Sequence, residues 1–76
     1  MPIAFVLIST KSGGESEVLR SLREVEGVKE AYSVYGVYDV VAKVEANSMD
    51  ELKDIVTFKI RRLSMVRTTL TMIVIK

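Results

Sequence analysis

The sequence predicts an α+β sandwich of element order β-α-β-β-α-β: a four-stranded antiparallel sheet with two helices on one face. Three observations predict it. Two stretches repeat apolar residues at the three- and four-residue spacing of a helix face. Four runs rich in Val, Ile, Tyr, Phe and Thr flank them. The middle two runs are separated only by Gly36-Val37, which makes them a hairpin. Each β-α-β half then takes a right-handed crossover. The result is the split βαβ, ferredoxin-like arrangement.

The first strand, residues 3–9, is a near-continuous apolar run and reads as buried on both faces. The helices cover one face, and a second copy of the sheet is the simplest cover for the other. Residues 10–14, with Gly13-Gly14, form a loop; the glycine pair matches neither a dinucleotide nor a P-loop spacing. The first helix spans residues 15–26, with Val18, Leu19, Leu22 and Val25 as its apolar stripe. Glu15 and Glu17 suit the positive end of its dipole, and Gly27 reads as its C′ residue.

The hairpin strands cover residues 28–35 and 38–46, with Gly36-Val37 as a type II′ turn. That turn sets the register: Val34 faces Asp39, Ser33 faces Val40, Tyr32 faces Val41, Ala31 faces Ala42, and Glu30 faces Lys43. The last pair sets opposite charges across from each other, which favours this register. One face then carries Ser33, Tyr35, Ala31, Tyr38, Val40, Ala42 and Val44 and is expected under the helices. The other carries Val28, Glu30, Tyr32, Val34, Asp39, Val41 and Lys43, a half-apolar, half-charged surface suited to association.

Ser48 and Glu51 form a capping box at the start of the second helix. Its stripe is Leu52, Ile55, Val56, Ile60 and Leu63, with Phe58 off it as a partly exposed residue, a lid or an intersubunit contact. Lys59, Arg61 and Arg62 suit its C-terminal end. The last strand is residues 68–76, with Thr69, Thr71, Ile73 and Ile75 on one face and Thr68, Leu70, Met72 and Val74 on the other.

Composition narrows function. The 76 residues make one domain, small enough that oligomerisation is the expected way to add buried area. There is no Cys and no His, so thiolate and imidazole chemistry are excluded. No cofactor is expected. Eleven basic and ten acidic residues leave a net charge of +1 and no basic footprint for nucleic acid. The apolar start is too short to span a membrane and lacks the marks of a signal peptide, so a cytoplasmic protein is expected. Asp39 is a conceivable general base, but no catalytic partner stands beside it in the pattern, and no enzyme is expected.

Two stretches carry a family resemblance. Gly36-Val37-Tyr38-Asp39-Val40-Val41 and, some thirty residues later, Val66-Arg67-Thr68-Thr69-Leu70-Thr71-Met72-Ile73-Val74 resemble the effector (RAM) domain of the Lrp/AsnC feast/famine regulators. Val25-Glu26-Gly27-Val28 fits the same family's turn after the first helix. Ser64-Met65 stands where the family often has Pro-Gly. The resemblance implies a RAM domain over residues 1–76 without the family's helix-turn-helix, hence no direct DNA binding. It implies dimers paired through their sheets, assembling into an octamer or similar ring. It implies an amino-acid effector held between dimers by Gly36, Val37, Tyr38, Asp39, Thr69 and Thr71. Co-assembly with full-length regulators is the implied route of action. A protein-interaction module of the same fold with a degenerate pocket is the alternative.

Overall fold

The computed structural model describes residues 1–76. The elements are β1 (Ile3–Thr10), α1 (Glu15–Arg23), β2 (Val28–Ser33), β3 (Val40–Glu45), α2 (Met49–Asp54), a π-helical segment continuing it (Ile55–Ile60), and β4 (Val66–Ile73). The strands form one antiparallel sheet in the order β2-β3-β1-β4. The expected α+β, ferredoxin-like order is the one observed. No helix is long and apolar enough to cross a membrane.

The core lies between one sheet face and the helices. Ala4, Val6 and Ile8 of β1 and Val40, Ala42 and Val44 of β3 are fully buried there, against Val18 and Leu22 of α1 and Leu52 and Ile60 of the second helix. The alternation of the strands therefore aims every second residue of the two central strands at the helices. On the opposite face Phe5, Tyr32, Leu70 and Met72 stand exposed. β1 is thus covered on one face only within a single chain.

The β2–β3 register holds where charge and alternation fix it: Glu30 pairs Lys43, Ala31 pairs Ala42, Tyr32 pairs Val41 and Ser33 pairs Val40. Lys43 Nζ lies 3.7 Å from Glu30 Oε2. The Tyr32 hydroxyl donates to Glu30 Oε1 at 2.7 Å. That hydrogen bond, and then the Glu30 charge and desolvation, hold the phenol above its ordinary 10.0, against an opposing pull from Arg23. The contact's contribution to stability is thus complete below the unfolded phenol's pKa and lost as pH rises through the folded one. Glu30→Gln should bring the Tyr32 titration, followed on its ring resonances by NMR, down toward the ordinary value.

Five details differ from the sequence expectation. The connection is not a two-residue II′ turn: the strands stop at Ser33 and Val40. Gly36 lacks the positive φ that such a turn needs. Residues 34–39 form a projecting loop closed by the Val34 N–H donating to the Asp39 carbonyl at 2.8 Å. Tyr35 is therefore solvent-exposed rather than on the core face, and Ser33 is exposed too, because the loop and the edge strand run past the helices. Second, a register shift between Val28 and Glu30 pairs Val28 with Val44 and turns it toward the core instead of the free face. Third, α1 ends at Arg23 with Glu24 as its cap, so Gly27 lies beyond the C′ position; its φ of 101° serves the entry to β2. Fourth, the second helix widens after Asp54, where Arg61 N–H reaches the Val56 carbonyl at 2.9 Å. Fifth, β4 runs Val66–Ile73, two residues earlier at its start and three shorter at its end than the expected 68–76.

Ser48 caps α2 as expected, accepting from the Glu51 N–H at 3.1 Å, while Glu51 Oε1 accepts from the Asn47 N–H at 2.8 Å. Phe58 is 59% exposed on the outer side of the π segment.

Candidate functional site

The motif residues fall into two groups on one chain. Gly36 and Val37 sit at the tip of the 34–39 loop, where Val37 is almost fully exposed. Nothing lies within 4 Å of where a Gly36 Cβ would stand. Tyr38 and Asp39 are half-buried where the loop re-enters the sheet. The Asp39 N–H donates to the Ile8 carbonyl at 2.9 Å. Its Oδ2 accepts the Thr10 N–H at 2.9 Å and lies 3.3 Å from the Thr10 hydroxyl. Thr10 is buried at the end of β1, next to a register shift between Ser9 and Thr10 that disturbs its ladder with β4. That N–H faces β3, whose ladder with β1 ends at the Ile8–Val40 pair, so the Asp39 carboxylate takes the place of a strand partner. One oxygen of Asp39 is thus committed to the fold, and Oδ1 makes no hydrogen bond within the chain.

Thr69 and Thr71 belong to β4 and pair with Ile8 and Val6. Those β1 residues are buried under the helices, so both threonines turn to the helix side. They line a cleft of about 460 Å³ between β4 and the second helix, together with Val56, Arg61 and Arg67. Neither Asp39 nor any residue of the loop lines it. Ile8 pairs with both Thr69 and Val40, so the Asp39 end of β3 and Thr69 are level but separated by β1. Two strand spacings amount to about 10 Å. Within one chain the two groups share an end of the sheet and no common cavity.

Sequence reasoning did not pick out three residues here. Thr10, the partner of Asp39, looked like the first residue of a loop; only the pairing of β1 with β3 brings it within reach. Arg61 looked like a cation at a helix end, and the π turn carries it to the cleft. Arg67 Nη2 donates to the Ser9 hydroxyl at 3.0 Å, which ties the start of β4 to β1.

A family model described as the Lrp/AsnC ligand binding domain matches residues 3–76. The chain belongs to the Lrp/AsnC family. It is 36% identical over 74 residues to the HTH-type transcriptional regulator FL11 of Pyrococcus abyssi, a match covering 97% of this chain and 48% of the regulator. It is 40% identical over 73 residues to homocitrate synthase of Saccharolobus solfataricus, covering 92% of this chain but 16% of the synthase. The chain therefore spans about half, or much less, of the curated relatives it matches. Among solved structures it is similar to FFRP-DM1, with 44% identity and a TM-score of 0.95 over 99% of this chain and 100% of that one. It is also similar to a feast or famine regulatory protein of M. tuberculosis complexed with L-methionine, with 28% identity and a TM-score of 0.81 over 100% of this chain and 51% of that one. Its kin thus include a transcriptional regulator and a feast or famine regulatory protein complexed with an amino acid.

Proposed function

We propose that this domain is a non-enzymatic amino-acid sensor whose site is completed between two copies of the chain. The observation that carries this reading is the division of the motif. The carboxylate with a free oxygen, Asp39, and the hydroxyls of Thr69 and Thr71 lie on one end of the sheet but open to different places. A free amino acid needs an acceptor for its ammonium and donors for its carboxylate. The projecting loop with its exposed Val37 and Tyr35 is a natural element to seat against a neighbouring copy. The exposed face with Phe5, Tyr32, Leu70 and Met72 supports a sheet-to-sheet dimer as the unit of that assembly. Occupancy would then be coupled to assembly by linkage, and through mixed assembly to full-length regulators.

Isothermal titration against the twenty amino acids, with light scattering of the same samples, tests the reading. Heat with one or a few amino acids, together with a shift in assembly mass, is the expected result. No heat with any of them, and an unchanged mass, would falsify it. A second reading, a protein-interaction module with a degenerate pocket, draws on one observation: Asp39 Oδ2 already serves Thr10. It predicts assembly without any amino-acid heat.

A further inference from the structure

The sheet has two outer edges, β2 and β4, and they are built differently. An unpaired edge invites another strand, and proteins blunt it with charge, bulges or cover. β2 is blunted in all three ways. Arg23 Nη2 donates to the Ala31 carbonyl at 3.1 Å, the register shifts between Val28 and Glu30, and the charged Lys29 and Glu30 are exposed there. β4 has eight residues and its only register shift lies at its start, opposite Ser9 and Thr10.

The outward backbone groups of β4 can be assigned. The Val74 N–H donates to the Ile3 carbonyl at 2.8 Å. By the alternation of an antiparallel ladder, Met72, Leu70 and Thr68 likewise bond to β1, and Thr69, Thr71 and Ile73 turn their N–H and C=O outward. Three outward residues offer up to about six hydrogen bonds to an added strand.

Beside that edge, on the helix side, lie two adjoining clefts of about 460 and 270 Å³ that share Val56, Arg61 and Thr71. The charged residues lining them are Arg61, Arg67 and Lys53, and no acidic residue lines either. Alternate side chains of an added strand would project into this row about 7 Å apart.

We propose that the β4 edge takes up an acidic segment of another protein in extended conformation as a fifth strand. The backbone of Thr69, Thr71 and Ile73 binds the strand, and Arg61, Lys53 and Arg67 select carboxylates at its alternate positions. A second copy of β4 is a poorer occupant, because it brings its own Arg67 and Arg61 to a seam with no acid in it. The inference rests on the edge and its charge rather than on the amino-acid reading, with which it shares the cleft at Thr69 and Thr71.

The test uses the full chain with a fluorescein-labelled peptide alternating Glu and Thr over eight residues, and its Lys-Thr counterpart. Anisotropy reports binding, and NMR amide exchange reports the edge. The acidic peptide should bind and the basic one should not, with new protection at the Thr69, Thr71 and Ile73 amides. Arg61→Glu and, separately, Lys53→Glu, both at exposed positions, should each weaken binding about tenfold or more. The proposal is overturned by binding without protection of those amides, by free glutamate displacing the peptide as well as unlabelled peptide does, or by protection that appears without peptide as the mass doubles.

Discussion

Gly27→Ala is expected to lower unfolding stability by about 2–4 kcal/mol, read as a shift of the urea midpoint with an unchanged slope. Gly27 holds a φ of 101°, a region that costs a side-chain-bearing residue about 1–3 kcal/mol. An added Cβ would also stand 2.6 Å from Ile55 Cδ1 and 3.1 Å from the Glu45 carbonyl oxygen. Ile55 is buried at the junction of α2 with the π segment, and the Glu45 N–H donates to the Gly27 carbonyl at 2.8 Å. The Ile55 methyl can turn aside at the cost of repacking, whereas the Glu45 carbonyl cannot retreat without disturbing the strand. The lower backbone entropy of the unfolded Ala chain offsets only about 0.4–1 kcal/mol. For 76 residues the whole stability is on the order of 4–11 kcal/mol, so this single methyl group removes a large share of it. Gly36→Ala is the matched control. Gly36 has no positive φ and open space around it, so the same change there should leave the midpoint unmoved or slightly raised.

The contrast between these two glycines shows what the sequence could reveal. Both sit at turns, and the pattern gave the left-handed role to each of them. The Glu30–Lys43 pair and the alternation from Ala31 to Ser33 were enough to place β2 against β3, because a one-residue slip would bury charge. The turn beyond them was not legible, since a projecting tip obeys no core constraint. The shift at Val28 was legible in principle. Strict alternation back from Ala31 aims Lys29 at the core, and a bulge that turns Val28 inward avoids burying that ammonium. The π segment left no mark, because Leu52, Ile55, Val56 and Ile60 satisfy a helical spacing of either width. At the candidate site the residue types were readable and their partners were not. Asp39 meets Thr10 across 29 positions of sequence, and Arg61, at the end of the widened helix, lines the cleft.

For amino-acid binding, a one-to-one mixture of two defective variants is expected to recover sites that neither has alone. Asp39→Asn is the better first variant. Its amide oxygen can still accept the Thr10 N–H, whereas Asp39→Ala leaves that buried donor without a partner at about 1–3 kcal/mol of stability. Losing the charge opposite an ammonium should weaken the effector about 10- to 100-fold while the fold stays intact. The second variant, Thr69→Val with Thr71→Val, keeps the strand shape, removes both hydroxyls from the cleft and should cost a similar factor. If one copy supplies Asp39 and its neighbour the threonines, random reassembly after dissociation pairs an intact Asp39 with intact threonines at about a quarter of the sites. A site built within a single chain recovers none, because every chain in the mixture carries a defect. Titration of the reassembled mixture reads the number of sites directly. The recovered sites should show the parent's affinity, since each contains only parental side chains. The backbones of β3 and β4 stand about 10 Å apart across β1, and no cavity joins Asp39 to the two threonines, which makes recovery the expected outcome. An amino acid's α-ammonium and α-carboxylate stand much closer together than those two backbones, so one effector is expected to meet the carboxylate and the hydroxyls from two different chains.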